Sequence, residues 1–305
     1  MPEAVSPLNH PVGRRGDDAA SRTLIAIPVY NELAHATKLL PTLRELPCDV
    51  LFVDDCSTDG TGDLLHAASE RGEAFYLRHE QNRGYGRSLI DAFDWADARG
   101  YDWVITMDCD EQHDPASIPG FLDEIEADDC DLISGTRYLV LPGEADGDLP
   151  PPERRAVNLT ITATINELFG WSLTDTFCGY KAHRVRPTCD LDLDESGYAF
   201  PLQLWPRVYA NGLRVKELPV RRIYNDANRT FGSDPRVGDL DNARNRLGHY
   251  LKVLHDELCH LGLPPLRDAV PGVARGVIDA LPDTVNGELR DTLRTGLTDA
   301  AAAPC

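Results

Sequence analysis

The chain has 305 residues, 42% hydrophobic and 26% charged, ordinary values for a globular protein long enough to bury a substantial core as one large domain or two smaller ones. Its formal net charge of −20 is not ordinary, and it argues against general nucleic-acid binding and against docking on anionic lipid by a basic face. No apolar run reaches the roughly 18 residues that a membrane-crossing helix needs, and residues 1–22 read as a flexible lead without the apolar core of a signal peptide.

In chain order, TLIAIPV (23–29) predicts a buried strand, and Leu33, Ala36, Leu40 and Leu43 then fall at helical spacing, with Pro41 predicting a kink or an early end. VLFV (50–53) predicts a second strand. The turn-rich DDCSTDGTGD after it leads into a helical LLHAASERG, where Ser57, Thr58 and Asp59 read as caps. AFYL (74–77) is a third strand, and NRGYGRSLIDAFDWADARG a helix with Tyr85, Leu89, Ala92, Phe93 and Ala96 on one face and Gly100 as its stop. YDWVITM (101–107) is a fourth strand, Pro115 starts the next helix, and DLISGTRY (131–138) is a fifth strand. This alternation predicts an α/β fold, a doubly wound and mostly parallel sheet flanked by helices, whose ligands bind at the carboxyl ends of the strands. The Pro/Gly/acidic stretch 140–153 reads as a mobile lid. Beyond it come helices over 154–170 and 197–212, a Pro-interrupted strand in LRVKELPVRRIY, a helix over 240–260 and a partly amphipathic tail able to pack on the core or reach a partner. The eight cysteines, at 48, 56, 109, 130, 178, 189, 259 and 305, show no paired metal-site spacing and predict a reduced, cytoplasmic protein.

The chemistry concentrates where those strands end. In TMDCDEQHDP (106–115), Asp108 and Asp110 are two apart, so on extended backbone they share a side while Cys109 takes the other. Packed carboxylates are costly without compensation. Their position at a strand's end favours a hard divalent ion, with Gln112 a third oxygen donor, over a solvated acidic turn. PVYNE (28–32) offers Tyr30 as a flat stacking surface and Glu32 as an acceptor. Asp54 and Asp55 in VDDCSTDGT are placed to accept from a nucleobase or ribose. NRGYGRSL is a Gly-containing helix start, equally consistent with phosphate binding through Arg87 and with a plain helix beginning. Arg137 in SGTRY is either a surface charge or a phosphate clamp.

Taken in order, PVYNE, VDDCSTDGT, NRGYGRSL, MDCDEQHDP, SGTRY, TDTFCGYKAHR and GYAFPLQLW resemble inverting family 2 glycosyltransferases of GT-A fold. The likeness is to the branch that holds dolichol-phosphate mannosyltransferase and bacterial polyprenyl-phosphate glycosyltransferases. It implies a GT-A domain over 23–238 with a helical C-terminal extension over 239–305. It also implies that Pro28, Tyr30, Glu32 and Asp54 or Asp55 hold the nucleoside of a nucleoside-diphosphate sugar. Asp108, Asp110 and Gln112 then hold Mg²⁺ or Mn²⁺ against the diphosphate. Arg137 matches an Arg that contacts phosphate, Asp175 precedes a segment lining the acceptor side, and Arg229 in NRTFGS matches a basic stretch that closes over the site. The chain departs from the family there in lacking a Lys, and it lacks the C-terminal membrane helices of many relatives.

The acceptor is then a lipid phosphate or a glycan hydroxyl, with no nucleic-acid partner and peripheral membrane contact left open. A phosphate is already ionised near neutral pH and needs no base. A hydroxyl needs a carboxylate to take its proton, Asp175 first and Glu195 second. The competing readings are a nucleotidyltransferase of similar α/β fold, which would want a Gly-rich basic loop after the first strand, and a non-catalytic sugar-nucleotide binder.

Overall fold

The computed structural model describes residues 19–139, 150–223, 233–234, 238–278 and 287–305. The four apolar runs of the first half form β1 (Thr23–Val29), β2 (Asp49–Asp54), β3 (Phe75–Arg78) and β4 (Trp103–Thr106). All pair in parallel, with β1 between β2 and β4. Parallel neighbours need crossover connections, and α1 (Leu33–Leu43), α2 (Thr61–Glu70) and α3 (Tyr85–Asp97) supply them. α1 runs through Pro41 to Leu43, the full span of the anticipated helical spacing, so Pro41 does not end it early.

A 3₁₀ turn at Pro115–Ser117, capped by the Asp114 carboxylate, leads into α4 (Ile118–Ala127) and then β5 (Leu132–Thr136). The second half adds α5 (Pro152–Phe169), β6 (Lys181–Arg184), α6 (Val185–Cys189), α7 (Phe200–Ala210) and β7 (Val215–Pro219). It closes with α8 (Ala243–Leu261), α9 (Val270–Val273) and α10 (Gly287–Ala302). The sheet order is β3-β2-β1-β4-β6-β5-β7, and β6 runs antiparallel to both its neighbours. Sequence reading gives no strand at β6. The four residues KAHR carry three polar side chains, and ladder pairing with β4 and β5 on either side, not alternation, makes them a strand.

Side-chain alternation divides the core between the two faces. Leu51 and Val53 of β2 join Leu24, Ala26, Leu89, Phe93, Ile161 and Trp205 on one face. Val50 and Phe52 join Ile25, Ile27, Leu40, Leu65, Ile105 and Phe121 on the other. The C-terminal helices belong to the first face. Leu247, Leu251, Leu254 and Leu258 of α8 and Leu293 and Leu297 of α10 are buried there, at about 1.5–3 kcal/mol for each fully buried side chain. The tail therefore packs on the core. Glu257 of α8 completes this packing with a buried polar network. It accepts from Arg207 Nε at 2.9 Å and Nη2 at 2.8 Å and from Gln203 Nε2 at 2.9 Å.

One expectation is overturned at this end of the chain. Cys259 and Cys305 form a disulfide, whereas Cys48, Cys56, Cys109, Cys130, Cys178 and Cys189 are free thiols. The reason is tertiary: the two Cα atoms are 5.3 Å apart although 46 residues separate them in sequence, within bridging range and invisible to local spacing. Of the lid anticipated over 140–153, residues 140–149 lie outside the described residues, as does Arg229 of NRTFGS, while Pro152 and Glu153 begin α5.

Candidate active site

Strand order reverses about β1, so the carboxyl ends of β1 and β4 flank a crevice at a topological switch point. The loops that follow β1 and β2 are stitched together there. Asn31, in left-handed backbone at φ 56°, accepts from the Thr58 amide at 2.8 Å and donates its own amide to Ser57 Oγ at 2.9 Å. The Glu32 amide donates to Thr61 Oγ1 at 3.0 Å and the Leu33 amide to Asp59 Oδ2 at 3.1 Å. The N-cap of α2 is Gly60, without a side-chain cap, so Ser57 and Thr58 brace the neighbouring loop rather than end the helix; only Asp59 also bonds within its own turn, to Thr61. This bracing leaves the Tyr30 ring 49% exposed at the rim, with Pro28 part-buried at the end of β1 and Glu32 part-buried 3.8 Å from His35 Nε2.

The acidic loop after β4 follows alternation as far as Cys109 and departs from it at Glu111. Cys109 is buried in the core face beside Met107 and Ile105. Asp108 Oδ1 accepts from the Tyr85 hydroxyl at 2.9 Å, and Asp110 Oδ1 accepts from the Gln112 amide at 3.0 Å. Glu111, at φ 63°, turns out to His35 (2.8 Å) and Lys38 (2.9 Å) of α1. The Asp108 amide donates to His113 Nδ1 at 2.9 Å, which puts the ring proton on Nε2. Burial draws that imidazole down to about 4, so it is neutral while it stacks on Tyr180. The donor set is all hard oxygen, and Gln112 Nε2 is buried with no hydrogen-bond partner. Two carboxylates and an amide fit a Mg²⁺- or Mn²⁺-type ion whose remaining positions come from water and a substrate diphosphate. Gly179, just before β6, lets that strand approach: a Cβ there would sit 3.1 Å from Asp108 Oδ2 and 2.8 Å from the Tyr85 hydroxyl.

Asp54, the last residue of β2, and Asp55, just after it, point into the protein. Asp54 is fully buried and accepts from the Ser57 amide and the Tyr76 hydroxyl, each at 2.8 Å, with Arg78 at 3.2 Å. Asp55 accepts from the Arg83 amide at 2.7 Å, the Gly84 amide at 2.8 Å and His79 Nδ1 at 2.6 Å. On its other side His79 faces Asp91 Oδ2 at 3.0 Å, and Asp91 also pairs with Arg83 and Arg87. Arg87 is thus folded back along α3, and Gly84, at φ 98°, admits the backbone of Ser196, where any Cβ would collide. Gly84 and Gly86 serve close packing between the start of α3 and the 195–197 segment, since a Cβ on Gly86 would likewise collide with the Glu195 carbonyl.

Burial works against a charged His79, but its bonds to Asp55 and Asp91 prevail and raise it to about 9 from 6.5. Asp91 is opposed by burial in the same way, yet His79 and Arg87 hold it at about 2. A raised histidine contributes stability that is complete below pH 6.5 and is lost as pH climbs through 9. Denaturant unfolding from pH 6 to 10 is therefore expected to show a loss of up to roughly 3 kcal/mol on the alkaline side, at about 1.4 kcal/mol per unit. His79→Gln is expected to flatten that limb.

Arg137, just past β5, and Asp175, just before the FCGYK segment, form one unit. Nε donates to Oδ2 at 2.7 Å and Nη2 to Oδ1 at 3.0 Å. The same carboxylate accepts from the Phe177 and Cys178 amides at 3.2 and 3.1 Å. Burial disfavours its charge, but Arg137 and, further off, Lys181 outweigh that and hold it below the ordinary carboxylate range. A carboxylate so engaged is a poor proton acceptor, which is at odds with Asp175 as a general base. Glu195 is buried on the far side of α3's start. Its Oε1 accepts from the Gly197 amide at 2.8 Å, and its own amide donates to Gln203 Oε1 at 2.8 Å. Two further groups were missed in the sequence. Lys181, the first residue of β6, is buried, donates to the Cys178 carbonyl and lies 5.3 Å from the Trp205 ring centroid. Tyr85 looks like a core aromatic by spacing, but its hydroxyl holds Asp108. Neither has a local signal, since one depends on an unforeseen strand and the other on a contact between elements.

A mostly parallel seven-stranded sheet with flanking helices and an oxygen-only acidic loop at its switch point is the layout of a GT-A glycosyltransferase fold. The glycosyl transferase family 2 profile matches residues 24–187, more than half of the chain, and the chain belongs to that family of enzymes. It is 31% identical over 224 residues to the undecaprenyl-phosphate mannosyltransferase of Micrococcus luteus, across 72% of this chain and 90% of that one. It is also 31% identical over 217 residues to the polyprenol monophosphomannose synthase of Mycolicibacterium smegmatis, across 67% and 80%. The fold matches a mannosyltransferase from Pyrobaculum calidifontis, solved with GDP-Man and Mn²⁺, at TM-score 0.51 and 15% identity over 98% of this chain and 80% of that one. Among the described residues no helix is long and apolar enough to cross a membrane.

Proposed function

We propose that this enzyme moves a hexose from a nucleoside-diphosphate sugar to a polyprenyl phosphate, inverting the anomeric carbon. The observation that carries the choice of acceptor is the Arg137–Asp175 unit. With Asp175 committed to a guanidinium and two amides, the acceptor has to arrive already ionised, as a phosphate does and a hydroxyl does not. The activities for which the two bacterial relatives are named support the same choice.

In this reading Tyr30 stacks on the base, with Pro28 and Glu32 beside it. Asp54 and Asp55 act one step back, by fixing the loops that form the pocket. Asp108, Asp110 and Gln112 would hold Mg²⁺ or Mn²⁺, which when bound supplies positive charge against the departing diphosphate. Tyr85 and the His113 ring orient Asp108 from two sides. Asp175 presents the Arg137 guanidinium to a phosphate group, with Arg87 and Arg229 secondary candidates and Glu195 shaping the acceptor wall. Cytoplasmic location and peripheral membrane contact complete the proposal.

The test is a panel of sugar nucleotides with Mn²⁺ or a chelator, offered polyprenyl phosphate or the matching polyprenol. Nucleoside diphosphate release that needs both the metal and the phosphate acceptor is the expected result. Transfer to the alcohol at a similar rate would overturn the acceptor assignment. Pyrophosphate from a sugar phosphate and a nucleoside triphosphate would mark a nucleotidyltransferase, and binding without turnover a sugar-nucleotide binder.

A further inference from the structure

The disulfide at the chain's end has a third member. His255 lies one helical turn before Cys259 on α8, so both side chains share a face. Its Nε2 is 3.5 Å from Cys259 Sγ and 3.3 Å from the Pro304 carbonyl, and its Nδ1 is buried without a hydrogen-bond partner. His255 is 6% exposed, so an imidazole that costs solvation is held by weak contacts next to two sulfurs. Ligand atoms of His255, Cys259 and Cys305 all lie within 4.8 Å of one another. Tetrahedral zinc with Zn–S of about 2.3 Å and Zn–N of about 2.0 Å gives an S···N edge of about 3.5 Å, the separation already present between Cys259 and His255.

We infer that His255, Cys259 and Cys305 form a zinc site that alternates with the disulfide, a site apart from the sugar-transfer crevice. A dithiol, becoming a disulfide, gives two electrons and two protons, or a phosphine, becoming its oxide, gives two electrons while water supplies its oxygen and the two protons, and the sulfur–sulfur bond opens to two thiols. Zn²⁺ then displaces both thiol protons, while the imidazole proton on Nε2 passes to Nδ1 and frees Nε2 as the third ligand. Water fills the fourth position. Thiolate and imidazole donors select zinc over the Mg²⁺-type ions that the acidic loop fits. The ion takes over from the covalent bond the task of tying residue 305 to α8, so the tail stays docked in either redox state.

The experiment uses the full chain, reduced with a phosphine and freed of it under nitrogen, then titrated with Co²⁺ alone. One equivalent is expected to give thiolate-to-cobalt charge-transfer absorption and tetrahedral d–d bands, both removed by one equivalent of Zn²⁺. Co²⁺ on the oxygen donors of the acidic loop gives no sulfur band, so the two sites are told apart. The air-oxidised chain is expected to lack the band. Cys305→Ser, at an exposed position that leaves the core untouched, is expected to abolish it, and His255→Ala to weaken binding by ~100-fold or more, since even outer-shell partners are worth 10–100-fold. A reduced chain without the band, or an undiminished band in Cys305→Ser, would overturn the site.

Discussion

Asp110→Asn is expected to lower kcat/KM for sugar transfer by at least ~10²–10³-fold, the cost of removing one charge-stabilising group from a transfer site. The substitution keeps the volume and the oxygen that accepts from the Gln112 amide, so the loop after β4 retains its shape. What it removes is one of two negative charges in a set whose third donor is a neutral amide. A Mg²⁺-type ion bound by so few protein ligands depends on each carboxylate. Glu111→Gln is the internal control. That side chain is next in sequence but pairs with His35 and Lys38 on α1, so its loss is expected to change kcat/KM by less than about threefold, with the ion pairs themselves worth ~1 kcal/mol or less. Steady-state nucleoside diphosphate release at saturating Mn²⁺ reads both, and unchanged melting of Asp110→Asn excludes a folding defect. Activity within tenfold of the parent would remove the metal assignment.

The second large effect falls on stability and rate together. Asp175→Asn leaves the Arg137 guanidinium in a nearly closed site without its counter-charge, and breaking a buried pair in this way costs about 3–5 kcal/mol. Arg137→Met strands the carboxylate instead and carries a similar cost. Combining the two removes both charges, so the double variant is expected to be more stable than either single one, a coupling that neighbouring residues show and distant ones do not. Activity is expected to stay low in all three, because the guanidinium is either displaced or gone. The pH profile separates this positioning role from proton abstraction. If Asp175 took a proton, its removal would erase an acid limb. If it holds Arg137, kcat falls at every pH and the limb is unmoved. Recovery of rate in the double variant would overturn the assignment of Arg137.

Much of the architecture is legible in the residues because its strands are short apolar runs closed by acids or turn residues. The acidic loop was legible down to the opposite facing of Cys109, which follows from period-two alternation; the outward turn of Glu111 was not, since it depends on left-handed backbone at φ 63° and on partners in α1. β6 was not, because KAHR has no apolar signature and takes its conformation from β4 and β5 on either side. The same limit hid the union of Arg137 with Asp175, which sit 38 residues apart: each had a plausible role alone, and only their contact shows that one occupies the other. The pairing of Cys259 with Cys305 failed for the same reason. Sequence carries what depends on neighbours in the chain and loses what depends on neighbours in space.

The reversal at β6 has a consequence for how such an enzyme can diversify. On one side of β4, parallel strands present the loops proposed to hold the donor; on the other, β6, β5 and α7 present the wall proposed to meet the acceptor. The two halves meet at a short antiparallel ladder, Trp103 opposite Arg184 through Thr106 opposite Lys181. Backbone bonds fix that seam with little regard to side-chain identity. Substitutions can therefore accumulate in either half while the distance between the halves is conserved by the ladder, so a lineage can exchange one substrate without retuning the other.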